Sequence, residues 1–279
     1  MAVGRSNKIV AIVQARMQST RLPGKVLMSM PFGSKFSVLL QIVNQIKKLA
    51  FNLDIVIATT KLSADDQIEF FCKENLIQFY RGDEDDVHSR FIQILKNSNY
   101  NTAIRLTGDN PIIDLECLNS LLITHMQSNS DYSCTSGLPT GMNFEVFSVS
   151  AFLRTGVSRL SDEEKEHVTL IFKSDPSFTR NEIKIFSGLE NRNLRTTIDH
   201  PSDYLMISTI FELSKKHSIE PSLELIKFIL NKYPWLFEVN ESNTQKMQFR
   251  TTEEEIVYAA QLLKSLDLKA SAKKLLNNE

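Results

Sequence analysis

The chain has 279 residues, 42% of them hydrophobic and 23% charged, enough apolar material to bury a sizeable core as one large or two smaller domains. Its 32 basic and 33 acidic residues nearly cancel, which speaks against bulk nucleic-acid or anionic-membrane binding, since both need a basic excess. Three cysteines without CxxC spacing (Cys72, Cys117, Cys134) speak against a disulfide framework or zinc knuckle and suit a reduced, cytoplasmic enzyme; no apolar run reaches membrane-spanning length, and residues 1–8 lack a signal peptide's apolar core.

The first half alternates strand and helix. The run Ile9-Val10-Ala11-Ile12-Val13 predicts a buried strand, and the amphipathic stretch Phe36 to Leu49 a helix. Between them lies Gln14-Ala15-Arg16-Met17-Gln18-Ser19-Thr20-Arg21-Leu22-Pro23-Gly24-Lys25, a connection at the carboxyl end of a strand, where open α/β sheets bind ligands. Three cations (Arg16, Arg21, Lys25), the hydroxyls of Ser19 and Thr20, and a bend at Pro23-Gly24 are what a polyphosphate needs. The stretch is not a Walker A loop, because Ser19 stands where that motif's first glycine would be and Val26 follows Lys25. A solvated basic surface loop has the same composition.

Asp54 to Thr59 predicts a second strand, Ser63 a helix N-cap, and Ile77 to Tyr80 a third strand leading into the acidic turn Arg81-Gly82-Asp83-Glu84-Asp85-Asp86. A helix over Asp86 to Leu95 and a strand over Thr102 to Leu106 complete a pattern that predicts a mainly parallel sheet covered on both faces. The strand ends at Thr107-Gly108-Asp109-Asn110-Pro111-Ile112-Ile113-Asp114. Gly108 permits an immediate turn and leaves Asp109 at the strand tip, a candidate carboxylate for a hard cation such as Mg²⁺, which takes one or two carboxylates beside waters and substrate phosphates. A turn residue satisfying its own backbone is the alternative for Asp109, and Asp114 reads as the cap of a helix over Leu115 to Met126.

After Asp131 the pattern loosens. A loop over Ser136 to Gly141 leads to Asn143-Phe144-Glu145-Val146-Phe147-Ser148, with Glu145 on a strand, then to helices over Ser150 to Arg159 and Asp162 to Lys173. The second carries Glu166-His167 without an HExxH motif, so no zinc protease site is indicated. Strands are expected at 184–186 and 194–198, the latter ending in Asp199-His200-Pro201, where Asp199 repeats the strand-tip placement of Asp109. Helices follow from Pro201, over Leu223 to Leu230, and from Thr252; acids open this last helix and Lys269, Lys273 and Lys274 close it, a charge pattern of a solvated, well-capped helix.

Six motifs in order now carry a resemblance: Gln-Ala-Arg-Met-x-Ser-Thr-Arg-Leu-Pro-Gly-Lys at 14–25, Arg-Gly-x-Glu-Asp-Asp-Val at 81–87, Gly-Asp-x-Pro-x-x-Asp at 108–114, Gly-x-x-x-Glu-Val-Phe-Ser at 141–148, Glu-His-Val-Thr at 166–169 and Asp-x-Pro-x-Asp-Tyr at 199–204. Together they resemble the spore-coat polysaccharide SpsF-type cytidylyltransferases, which belong with the acylneuraminate and KDO cytidylyltransferases (CMP-sugar synthetases). The resemblance spans residues 8–205, with Gln18 where the family often has Gly and His88 where an apolar residue is usual.

The resemblance implies an α/β, Rossmann-like, GT-A-type nucleotidyltransferase fold: a mostly parallel sheet with helices on both faces. It implies a nucleotidyltransferase domain over 1–205, with an acceptor-side and dimerisation insert at about 136–192, and a helical C-terminal extension over 206–279. The implied reaction uses CTP and Mg²⁺; an acceptor oxygen attacks the α-phosphorus and pyrophosphate leaves. Gln14, Ala15, Arg16, Ser19, Arg21, Lys25, Arg81, Gly108 and Asp109 match nucleotide-binding positions; Arg16, Lys25, Asp109 and Asp199 match catalytic ones, and Asp109 and Asp199 the metal carboxylates. Asn143, Glu145, Glu166 and His167 match the acceptor side. The acceptor, a sugar-like acid or a phosphorylated or phosphonate compound, stays open. The oligomeric state stays open, although related CMP-sugar synthetases are commonly homodimers; the composition speaks for a cytoplasmic enzyme with neither nucleic acid nor membrane as partner. Two alternatives stand beside this: a GT-A glycosyltransferase using Asp83-Glu84-Asp85 as a DxD motif, and a non-catalytic nucleotide-binding scaffold.

Overall fold

The first strand, β1 (Ile9–Gln14), is buried on both faces: Ile9, Ala11 and Val13 enter one core, Val10 and Ile12 the other. A parallel strand flanked by helices on both sides requires this, which is why its sequence is apolar without alternation. The computed structural model describes residues 8–156, 160–189, 192–243 and 251–277.

Along the chain, α1 (Val38–Ile46) follows β1, then β2 (Leu53–Thr60), α2 (Asp66–Glu74), β3 (Gln78–Gly82), α3 (Val87–Leu95), β4 (Thr102–Thr107), α4 (Leu115–Ser128), β5 (Tyr132–Ser136) and β6 (Glu145–Ser148). The sheet order is β3-β2-β1-β4-β6-β5, with β7 (Arg180–Lys184) at the far edge. Among the described strands only β6 runs against the rest; it pairs antiparallel with both β4 and β5. Helices α1, α2 and α4 cover one face together with α8 (Pro201–His217) and α9 (Leu223–Lys232). The other face is closed by α3, α5 (Val149–Thr155) and α7 (Ile171–Ser174) through an aromatic cluster of Phe91, Tyr132, Phe147, Phe152 and Phe172. His88 joins that cluster: it is 3% exposed, lies 4.7 Å from the Phe152 ring and meets the Thr155 hydroxyl at 2.7 Å.

From β1 the chain steps to β2 on one side, and after β3 it crosses back to β4 on the other, so the strand order reverses between β1 and β4. Crevices of this kind, at the carboxyl ends of adjacent diverging strands, bind ligands in open α/β sheets. Gln14 and Thr107 are register partners at that point, so the 14–25 and 108–114 motifs leave the sheet side by side.

Some elements differ from expectation. β5 reads Tyr-Ser-Cys-Thr-Ser and β7 Arg-Asn-Glu-Ile-Lys; neither shows a clear apolar alternation, so the first is invisible in the sequence and the second is expected too far along, at 184–186. The 194–198 segment is no strand: its one β-type pairing is an isolated bridge between Thr140 and Arg195, and its end is held by the Ile198 N–H donating to the Asp109 carbonyl at 2.9 Å. The helix expected over Asp162 to Lys173 is split into α6 (Asp162–Glu166) and α7 by a turn from His167 to Leu170. Ser63 opens a 3-10 turn, and α2 begins only at Asp66. The expected helix to Arg159 ends at Thr155, its last residues lying outside those described.

The chain divides into two units after Glu241. Helix α8 straddles the expected 205 boundary, and its buried Met206, Ile207, Ile210 and Phe211 belong to the same core as β1. The second unit holds two helices that pack together, α10 (Thr252–Ser265) and α11 (Lys269–Asn277), in place of one continuous helix; Asp267, at φ 60°, breaks the path between them. No described helix is long and apolar enough to cross a membrane.

Candidate active site

The site starts from how tightly the two motif loops are held. A Cβ on Gly108 would lie 3.0 Å from the Ala15 Cβ and 3.2 Å from the Gln14 carbonyl oxygen, so a side chain there would part the exits of β1 and β4. Beyond Ala15 the basic loop closes on itself: the Gly24 N–H donates to the Met17 carbonyl at 2.8 Å, with Gly24 at φ 73°, a left-handed value that favours glycine. A second clamp comes from Asp65, 1% exposed, whose carboxylate accepts the Met17 N–H at 2.6 Å and the Thr60 hydroxyl.

This folding turns Lys25 inward. Its ammonium, on a residue 7% exposed, donates to Asp109 Oδ2 at 2.8 Å, Asp199 Oδ1 at 2.8 Å and the Ile198 carbonyl at 2.6 Å. The three donors of a lysine are thereby all engaged. Asp109 and Asp199, ninety residues apart in the sequence, thus present oxygens to one point, no farther from each other than twice the 2.8 Å contact. The remaining Asp109 oxygen accepts the Thr107 hydroxyl at 2.6 Å.

Asp199 is the more elaborately held of the two. Its Oδ2 pairs with Arg21 at 3.2 Å and with Arg195, and Arg21 also donates to His200 at 3.3 Å. Burial raises its pKa, but Lys25, Arg21 and Arg195 outweigh burial and hold the carboxyl below the ordinary range. Behind it the fully buried Asp203 accepts the N–H groups of Asp199 at 3.0 Å and His200 at 2.9 Å, capping α8, and takes Arg195 Nε at 3.2 Å and Asn240 Nδ2 at 2.8 Å. The Asp-x-Pro-x-Asp motif is therefore one structural device: the second acid and Arg195 aim the first.

In front of the loop lies an open cleft of about 590 Å³, lined among others by Arg16, Ser19, Thr20, Gly24 and Glu84. Arg16, half exposed, meets Glu84 at 3.3 Å. Arg81, matched by the resemblance to a nucleotide-side position, donates to the carbonyls of Thr60 and Leu62, both at 2.8 Å, and pairs with Glu69 at 2.5 Å and Asp66 at 2.7 Å, bracing the β2–α2 turn. The acidic turn is spent locally too. Asp83 accepts the N–H groups of Asp85 and Asp86, and Asp86 caps α3.

Glu145, which the resemblance matches to an acceptor-side position, is held inside a hydrogen-bond hub. Oε2 takes Arg105 at 2.6 Å and the Thr169 hydroxyl at 2.8 Å; Oε1 takes the Tyr132 hydroxyl at 2.5 Å and Lys173 at 3.1 Å. Burial raises its pKa, but Arg105 and Lys173 with the two hydroxyls reverse the effect and bring it down to about 2. Arg105 also donates to Gln14 at 3.2 Å, so side-chain contacts run from the exit of β1 to α7. Asn143 and His167 are exposed and Glu166 half-buried; His167 follows α6 directly, two residues before the Thr169 whose hydroxyl donates to Glu145.

Sequence reasoning missed Asp65, Arg105, Arg195 and Asp203 as parts of the site. Arg105 carried a signal, a charge inside an otherwise apolar strand; Asp65 looked like any acid in a helix's first turn. Among the described residues no group of three or more His, Cys, Asp or Glu could hold a metal ion.

Comparison with known proteins gives one answer. The sequence model of the cytidylyltransferase family matches residues 10–256. The chain is 35% identical over 238 residues to the spore coat polysaccharide biosynthesis protein SpsF of Bacillus subtilis (strain 168), covering 82% of this chain and 96% of that one. A cytidylyltransferase structure from Leptospira borgpetersenii superposes with a TM-score of 0.74 at 24% identity, covering 87% of this chain and all of that one. The structure of CMP:2-keto-3-deoxy-manno-octonic acid synthetase complexed with CTP superposes at 0.54 and 12% identity, over 76% of this chain and all of that one.

Proposed function

The chain belongs to the cytidylyltransferase family and is a CTP-dependent nucleotidyltransferase, and on that premise we propose that it transfers CMP to a sugar-like acid, or to a phosphorylated or phosphonate acceptor, for surface polysaccharide or glycoconjugate synthesis. The observation that carries the reading is the convergence of Asp109, Asp199 and Lys25 at the β1–β4 crevice, with Arg21 against Asp199. An acceptor oxygen forms a bond to the α-phosphorus, the α–β bridging P–O bond breaks, and its electron pair leaves with pyrophosphate.

Such a transfer needs positioning and neutralisation of charge on the phosphate oxygens, with little covalent help from the protein. Arg16, Arg21 and Lys25 supply the cations, and the loop from Ala15 to Gly24 supplies backbone N–H groups and the Ser19 hydroxyl around the cleft. The two carboxylates suit Mg²⁺, a hard cation content with one or two carboxylates when phosphates and waters complete its shell. Bound there, it would neutralise phosphate charge and lower the pKa of an acceptor hydroxyl. Asn143, Glu166 and His167 are offered as the acceptor-facing groups; Glu145 acts behind them, tethering their segment through Thr169 and Lys173.

The glycosyltransferase reading loses support because Asp83 is committed to its own turn and Glu84 to Arg16. The test is pyrophosphate release from CTP and Mg²⁺ across a panel of acidic sugars, sugar phosphates and phosphonates. Asp109→Asn should lower turnover at least about 100-fold, the order that loss of a transition-state electrostatic contact produces, in a variant that thermal unfolding shows to be folded. Near-normal turnover in that variant would remove Asp109 from the chemistry, and nucleotide binding without turnover on any acceptor would leave the scaffold reading.

A further inference from the structure

The Lys25 ammonium stands where a cation shared by Asp109 and Asp199 must stand. It engages one oxygen of each, Asp109 Oδ2 and Asp199 Oδ1, both at 2.8 Å, and its third donor goes to the Ile198 carbonyl. The other oxygens are already committed, Asp109 Oδ1 to Thr107 and Asp199 Oδ2 to Arg21 and Arg195. A magnesium ion binds carboxylate oxygens at about 2.1 Å. At that distance from the same two oxygens it would collide with the ammonium, both in volume and in charge.

We infer that Lys25 is a built-in competitor for the divalent cation, which enters between Asp109 and Asp199 only when a triphosphate draws the lysine away. This rests on the metal assignment above and adds to it an order of events. The charges explain the coupling. Lys25, Arg21 and Arg195 balance Asp109, Asp199 and Asp203, so this cluster is neutral as it stands, and a lone divalent ion in the place of the ammonium would leave it one charge in excess, with the expelled lysine beside it uncompensated. A nucleoside triphosphate brings the anionic oxygens that accept Lys25. The lysine stem is flexible and its head a compact point charge, so a change of side-chain torsions can swing it from the carboxylates toward the neighbouring cleft. Removing Lys25 should therefore have effects of opposite sign on the two ligands, weakening the nucleotide and strengthening the bare metal.

Mn²⁺ serves as the probe, its binding to the full-length protein followed by proton relaxation enhancement without nucleotide. Lys25→Met should bind Mn²⁺ at least about tenfold tighter than wild type, a difference of about 1.4 kcal/mol. The gain should vanish in Lys25→Met/Asp109→Asn, and Lys25→Gln should shift in the same direction; thermal unfolding establishes that each variant is folded. Unchanged or weaker Mn²⁺ binding in both lysine variants overturns the competition, even if the wild-type ternary complex with Mn²⁺ and CTP depends on Asp109. If that ternary complex is instead indifferent to Asp109→Asn, the metal assignment itself is wrong and the competition falls with it.

Discussion

Asp65 offers the sharpest test of how the basic loop is preorganised. It is buried beside the loop, with Met17 N–H on one oxygen at 2.6 Å and the Thr60 hydroxyl on the other. Asp65→Ala removes the acceptor of both, and each donor left unpaired in the interior costs roughly 1–3 kcal/mol. The loop escapes most of that cost by loosening, so the penalty reappears when CTP must order it again. Refixing one or two residues at about 1.4 kcal/mol of backbone entropy each corresponds to a CTP Kd about 10- to 100-fold weaker. Asp65→Asn keeps an acceptor for Met17, and the Thr60 hydroxyl can turn to accept from the new amide, so its Kd should stay within about threefold. Isothermal titration with CTP, at a temperature where both variants are folded, gives the comparison; the acceptor KM reports whether the damage is confined to the nucleotide half. A CTP Kd for Asp65→Ala within twofold of wild type, or equal to that of Asp65→Asn, would show that the clamp does not order the loop.

Asp203→Asn leaves Arg195 facing an amide in a fully buried setting, which should cost about 3–5 kcal/mol, the usual loss when one partner of a buried pair is removed. At about 2–4 °C per kcal/mol for a domain of this size, the Tm should fall by about 6–20 °C; a loss below 1 kcal/mol in urea unfolding would contradict the cap assignment. Glu145→Gln should raise the acceptor KM more than the CTP KM, because it frees Thr169 and Lys173 and so the segment bearing Glu166 and His167. Equal effects on both substrates would place its influence elsewhere. Burial lowers the pKa of His125 from 6.5 to about 4 while its ring meets the Ser133 hydroxyl at 2.8 Å. The unfolded chain then binds the extra proton between those two values, so stability falls as pH drops from 6.5 toward 4, by at most about 1.4 kcal/mol per unit from this group. Replacing His125 by Asn should flatten that slope, and an identical urea-unfolding profile between pH 4 and 6.5 would refute it.

The sequence by itself determined the alternation of strand and helix over the first half, the basic loop after β1 and the two acids worth watching. Those features are local: an unbroken apolar run means burial on both faces, and a cap or turn residue acts on its own neighbours. The polar strands β5 and β7 escaped it because their place in the sheet comes from β6 and from each other, through Glu145, Tyr132 and pairings that no local pattern announces. Only the tertiary structure decided the fates of chemically similar residues. Arg21 and Arg81 both stand in the matched motifs, yet Arg21 lies against Asp199 and Arg81 against the carboxylates of α2; Glu145, on the matched acceptor side, meets Arg105 and Lys173. Long-range packing chooses which partner each charge meets, and nothing local in the sequence announces that choice.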